Sequence, residues 1–331
     1  MNLFGRSLLT LRHLSPDEIR YLINLSLKLK KKKRKGIRGH GMEGKNIVLV
    51  FEKTSTRTRC AFEVAVHDEG GNVTFLSNSQ MGIKESIEDT AKVLGRYYDG
   101  IEFRGYRQET VEKLAQFAAV PVWNGLTDMY HPTQVLADLM TMQEKLKKPY
   151  SDMKLCYVGD ARSNMGNSLL IGAAKMSMRF SAVAPHSLLP NSDIVDYARE
   201  LASETHAEIE LGDDIDKGVQ GADVVYTDVW TSLGEEDKLA ERIALLQPYQ
   251  VNTALMKKTQ NPDTLFMHCL PSVHDTETQI GSRAKKEHNL DSMEVSDEVF
   301  RSGQSVVFDQ AENRMHTTKA VMVATCGSPQ S

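Results

Sequence analysis

NIVLVFEKTSTRTRCAFEVAVHDE, residues 46–69, joins an apolar run to an amphipathic one with no glycine or proline between them. The run IVLVF (47–51) is uninterrupted and β-branched, as expected of a strand covered on both faces in a parallel sheet. The stretch 57–69 places its apolar residues at helical spacing. The junction holds Ser55, three threonines (Thr54, Thr56, Thr58) and two arginines (Arg57, Arg59). Serine and threonine cap helix N-termini, where the first amides lack internal acceptors and the helix dipole favours an anion. Ser55, Thr56 and Thr58 with the Arg57 fork therefore form a candidate phosphate cradle made without glycine. An ordinary capped helix with solvated arginines is the alternative. Arg59, two residues deeper in the helix, is expected to be structural.

The same strand-then-helix unit recurs outward from this stretch. NVTFL (72–76), GIEFRG (100–105) and VPVWNG (120–125) each lead into a helical pattern, the last into PTQVLADLMTMQEKL. KKPYSD (147–152) breaks the series. It restarts with KLCYVGD, FSAVAP, AEIEL, DVVYTDV and TLFMHCL, with helical segments between them. Strand and helix alternating at this spacing mean an α/β fold with parallel sheets. Two doubly wound parallel-sheet domains in tandem are expected, spanning 1–148 and 149–310. SVVFD (305–309) reads as strand-like, and a last helix over 311–326 is expected to pack back on the first domain.

A length of 331 residues fits two domains better than one. The net charge of −4 gives no global pull toward nucleic acid or an anionic membrane. Cys60, Cys156, Cys269 and Cys326 are dispersed and form no C-x-x-C pair, which fits a reducing cytosol. The N-terminus has no secretory pattern and no stretch reaches a bilayer-spanning length, so a cytoplasmic protein is expected, without membrane or nucleic-acid partners. The basic run from Lys28 to His40 is either a polyanion patch or the wet end of the helix that begins near Ser15 and Pro16. The lack of interleaved aromatics favours the helix end.

In parallel sheets ligands bind beyond the carboxyl ends of strands. Those ends carry Arg104 after GIEFR, and His131 before a proline at the first helical position, with Gln134 one turn on. Together with Ser55 and Arg57 they make a cationic, donor-rich edge suited to a small dianion with an electrophilic carbonyl. In the second half, GDARSNMGNS (159–168) opens a helix at Asn164. YTDVWTSLGEE (226–236) sets Asp228 at a strand end with Ser232 in a loop, and LFMHCLP (265–271) sets Cys269 before Pro271. An acidic, amide-bearing set suits an amine nucleophile. Asp228 as a cap and Cys269 as an inert thiol are the bland alternatives. His268, Cys269 and His274 match no standard zinc spacing, so no metal is expected. No glycine-rich nucleotide motif occurs.

STRTR (55–59), SQMGIKES (79–86), HPTQ (131–134), DVWTSLGE (228–235), HCLP (268–271) and ENRMHTTKAVM (312–322) occur in that order. Over nearly its whole length the chain resembles the aspartate/ornithine carbamoyltransferase family. The HCLP and DVW-x-S-x-G segments point to ornithine as acceptor, although Leu233 stands where the family often has methionine. The resemblance implies direct transfer of a carbamoyl group from carbamoyl phosphate to the side-chain amine of L-ornithine, giving citrulline, with no cofactor. Transfer to another amine such as putrescine is the alternative. It implies carbamoyl phosphate contacts from Ser55, Thr56, Arg57, Thr58, Arg104, His131, Gln134, Cys269, Leu270 and Arg314. It further implies a homotrimer, or a multiple of trimers, in which Gln80 reaches the neighbouring subunit's site. Asn164, Asp228, Ser232 and Leu233 would hold ornithine, and Arg104, His131, Asp228 and Cys269 would take part in the chemistry.

Overall fold

The strand-helix alternation folds into two all-parallel sheets, each with helices. The computed structural model describes residues 1–77, 79–231 and 238–327. The chain divides into two compact units, one of Met1–Met140 with the segment from Ala311 on, the other of Thr141–Gln310.

The first unit begins with α1 (Pro16–Arg34), started by a Ser15/Glu18 capping box with Pro16 in its first turn. Then come β1 (Asn46–Phe51), α2 (Thr56–Asp68), β2 (Asn72–Ser77), α3 (Ile87–Tyr97), β3 (Gly100–Arg104), α4 (Gln108–Phe117), β4 (Val122–Leu126) and α5 (Pro132–Leu146), whose residues from Thr141 on belong to the second unit. The sheet order is β2-β1-β3-β4. Val48, Val50, Ile101 and Phe103 pack against Ala91 and Leu94 of α3 and Val111 and Leu114 of α4. Full burial of each large aliphatic side chain contributes about 1.5–3 kcal/mol. Order reverses between β1 and β3, so ligands are expected beyond the ends of those strands.

The second unit has β5 (Lys154–Val158), α6 (Asn164–Lys175), β6 (Arg179–Val183), α7 (Ser192–Thr205), β7 (Glu208–Gly212), α8 (Ile215–Val219) and β8 (Val224–Thr227). It continues through α9 (Leu239–Leu246), α10 (Thr253–Lys258), β9 (Leu265–His268), α11 (Gln279–His288) and α12 (Asp297–Phe300). Its order, β7-β6-β5-β8-β9, reverses between β5 and β8. Val158, Val225 and Phe266 meet Val219, Leu255 and Val299 in its core.

The last helix, α13 (Val307–Thr325), returns to the first unit. Trp123 Nε1 donates to Thr325 Oγ1 at 3.0 Å, Lys30 Nζ to Asn313 Oδ1 at 2.7 Å, and Lys319 Nζ to Asp68 Oδ2 at 2.6 Å. The basic run is partly spent here, for Lys33 also reaches Asp68 and Arg34 reaches Glu312. SVVFD is not a strand. Ser305 makes a single bridge to Phe266, and the helix starts at Val307. Among the described residues no helix is long and apolar enough to cross a membrane.

Candidate active site

In the first unit the candidate cradle residues lie between β1 and the start of α2. Ser55, extended at φ −162°, caps α2, and its hydroxyl accepts from the Thr58 amide at 3.2 Å. This leaves the Thr56 and Arg57 amides of the first turn directed out of the helix end. Thr58 is fully buried and its Oγ1 accepts from Arg104 Nη1 at 3.2 Å and from Arg314 Nη2 at 2.8 Å. One hydroxyl oxygen thus gathers two guanidinium groups, one from β3 and one from α13. With both lone pairs occupied, its own hydrogen is left to donate. Arg57 is half-buried. Arg59 lies with its Cζ 3.8 Å from the Phe75 ring centre and bonds Glu63 at 2.8 Å, which gives it the structural part expected of it.

His131 is held by a pinned loop. Thr127 and Tyr130 exchange backbone and hydroxyl hydrogen bonds, Thr127 Oγ1 donates to Gln108 at 2.7 Å, and Asn124 ties the segment to Leu9. The His131 ring is buried, and its pKa lies well below the usual histidine value. Burial is the main cause, and the Arg314 and Arg104 charges add to it. It is therefore a neutral imidazole at physiological pH, a hydrogen-bonding group with no charge of its own. Gln134, one turn into α5, donates to Asp138 at 2.8 Å. Its buried Oε1 has no partner among the described residues. Ser55, Arg57, Thr58, Arg104, His131, Gln134 and Arg314 thus all belong to one unit, and Thr58 directly joins two of the arginines. Gln80 is exposed on a turn whose carbonyl accepts from Ile83, Lys84 and Glu85.

In the second unit, Asn164 is the first residue of α6, just after the Ser163 cap, and is half-buried. Asp228 follows β8 and Cys269 follows β9. Asp228 Oδ1 accepts from Cys269 Sγ at 3.0 Å and from the Val229 amide at 2.8 Å. Burial raises the Asp228 carboxyl above its ordinary value, against the pull of His268 and Cys269. Behind them His268 is buried, and its Nδ1 accepts from the Leu270 amide at 2.8 Å. Its proton therefore sits on Nε2, 3.4 Å from the buried Glu294 carboxylate. Leu270 is held at φ +56°, a left-handed conformation rare for leucine. Asp228, His268 and Cys269 bring ligand-type atoms within 4.8 Å of one another, but Cys269 is engaged with Asp228 and His268 Nδ1 with Leu270. Ser232 and Leu233 lie outside the described residues. The part played by Glu294 was not legible in the sequence, because it sits 26 residues after His268 with no motif around it.

Residues 6–144 match the family model described as aspartate/ornithine carbamoyltransferase, carbamoyl-P binding domain, and residues 151–325 match the Asp/Orn binding domain of the same family. A catabolic ornithine carbamoyltransferase of Clostridium perfringens is 60% identical over 328 residues, which is 99% of this chain and 99% of that one. One from Bacillus licheniformis, also named catabolic, is 56% identical over 329 residues, 99% of this chain and 98% of that one. Among solved structures, the ornithine carbamoyltransferase from Pyrococcus furiosus superposes with a TM-score of 0.90 at 39% identity, covering 98% of each chain.

Proposed function

Because this chain belongs to the aspartate/ornithine carbamoyltransferase family, we propose that it is the enzyme that moves a carbamoyl group between carbamoyl phosphate and the side-chain amine of L-ornithine. The observation that carries the donor half of this reading is Thr58 binding both Arg104 and Arg314 at the α2 N-terminus, beside a neutral His131. Residues 1–148 with 311–326 serve as the carbamoyl phosphate-binding domain and 149–310 as the ornithine-binding domain. Ser55, Thr56, Arg57 and Thr58 hold the phosphate, with Gln80 coming from a neighbouring subunit of a trimer. Arg104, His131, Gln134 and Arg314 serve the carbonyl and phosphate oxygens, with Cys269 and Leu270. Asn164, Asp228, Ser232 and Leu233 grip ornithine.

The reaction needs ornithine's side-chain amine unprotonated, although such an amine has a pKa of about 10 in water. A cationic, partly desolvated site favours the neutral form. The nitrogen lone pair attacks the carbonyl carbon, and the developing oxyanion is stabilised by Arg104 and the His131 imidazole. The carbon–oxygen bond to phosphate then breaks. Phosphate leaves with that electron pair into the α2 amides, and the surplus proton of the new carbamoyl nitrogen goes to Asp228 or to the departing phosphate. A raised carboxyl pKa and the Cys269 contact support Asp228 in that part.

The word catabolic in the names of two relatives supports the degradative direction, in which citrulline and phosphate give ornithine and carbamoyl phosphate. Four free cysteines support a cytoplasmic location. Turnover of ornithine should exceed that of putrescine and of aspartate when each product is quantified under identical steady-state conditions. Faster carbamoylation of either rival would overturn the ornithine assignment.

A further inference from the structure

Glu102 stands in the middle of β3 between Ile101 and Phe103 and is wholly buried. Neither of its carboxyl oxygens has a hydrogen-bond partner among the described residues. The sheet is shaped around it. Between Phe103 and Arg104 the pairing of β3 with β4 slips, so that Phe103 faces Asn124 and Arg104 faces Leu126. Gly125 is thus the extra residue of a bulge, the device by which sheets re-aim a side chain beside a site. A Cβ on Gly125 would lie 1.9 Å from Glu102 Oε1 and 3.1 Å from the Thr58 methyl carbon. Only glycine leaves room for the carboxyl group, and the same position adjoins the methyl of Thr58, which gathers Arg104 and Arg314.

We propose that Glu102 is a positioning residue of the anion site that acts as a neutral carboxylic acid, filling the space behind Gly125 without adding a negative charge near Arg104 and Arg314. The inference rests on the carbamoyl phosphate reading of that site. An isolated buried carboxylate without donors is far costlier than the neutral acid, which escapes the desolvation of a charge. Burial accordingly raises the Glu102 pKa well above the usual carboxylate range, and the opposing pull of Arg104 and Arg314 does not reverse it. The charged groups facing it are Arg104 on its own strand and Arg314 on α13. From β4 it meets Gly125, whose Cβ position is also neighboured by the Thr58 methyl of α2. Both arginines keep their charge throughout the accessible pH range, and His131 is already neutral.

At alkaline pH loss of the Glu102 proton would place a negative charge beside the two guanidiniums and weaken anion binding, by up to tenfold per pH unit above the folded-state pKa. The probe is inorganic phosphate above pH 8.5, where it is almost wholly the dianion and its own charge is nearly constant, titrated calorimetrically into the full-length protein up to pH 10. The native protein should lose affinity with a limiting slope of one in log Kd against pH, and Glu102→Gln should lack that slope. In the same range native binding should take up one proton, read from heats in two buffers of different ionisation enthalpy. Should Glu102→Gln fail to fold, proton uptake by the native protein decides alone. Parallel profiles in the two proteins, or no uptake by the native one, overturn the role of Glu102 and leave the anion site standing. Absence of phosphate binding in the native protein at pH 7.5 overturns the site reading and this inference together.

Discussion

Thr58 shows how much can depend on one hydroxyl group. Thr58→Val keeps the shape and removes one hydroxyl acceptor from each of two guanidiniums, the half-buried Arg104 and the buried Arg314. Charge-assisted hydrogen bonds contribute about 1.5–3 kcal/mol each, so the KM for carbamoyl phosphate should rise at least tenfold. The KM for ornithine should change far less, and steady-state kinetics with each substrate varied in turn would separate the two. Cys269→Ala should impair use of ornithine more than the melting temperature, since its thiol donates to Asp228 and is only half-buried. Native kinetics with a much lower melting temperature would restore the inert-thiol alternative. At this scale the sequence was legible wherever a residue's surroundings are local. Ser55 before a helical run had to be a cap, and Arg59 had to turn away from the end of α2. Glu102 passed unread because a single acid inside GIEFRG looks like a strand residue with an exposed face. Only the complete burial of Glu102 in the folded sheet shows that both faces are covered.

At the scale of elements, the strands of both sheets and the longer helices follow from apolar period alone, and the structure moves their ends by only a few residues. The short helices α10, α11 and α12 did not show in the sequence. Each owes its existence to caps, Asn252, Thr278 and Ser296, and to packing more than to a long amphipathic pattern. SVVFD misled because two valines and a phenylalanine favour a strand, yet Phe266 offers Ser305 one bridge and no continuing partner. The docking of α13 has a measurable weak point in Asp68, shared by Lys33 and the buried Lys319. Asp68→Asn leaves the buried Lys319 with only the Glu69 carboxylate, at 3.9 Å, and should cost about 3 kcal/mol in chemical denaturation. Lys319→Met should cost less, because Asp68 keeps Lys33.

For the whole molecule, the clearest prediction concerns acid. His316 of α13 is buried, which takes its pKa down to about 4 from the usual histidine value of about 6.5, even though Glu312 pulls the other way. Between those values the unfolded chain binds a proton that the native state does not, so stability is lost as pH falls from about 6.5 to about 4. One such group gives about 3 kcal/mol over that window. His316→Gln should flatten this part of the stability profile, and a variant as acid-sensitive as the native protein would assign the loss elsewhere. The discontinuous make-up of the first unit has a consequence in time. Arg314 and the rest of α13 are encoded after the whole second unit. At about 5–20 residues per second, synthesis of residues 141–310 occupies roughly 10–35 s. Throughout that interval the nascent chain carries β1–β4 and the α2 cap, yet it lacks the guanidinium that completes the grip on Thr58. If this site holds the dianion as proposed, a growing polypeptide acquires its full affinity only late in translation, and a chain cut after residue 310 never acquires it.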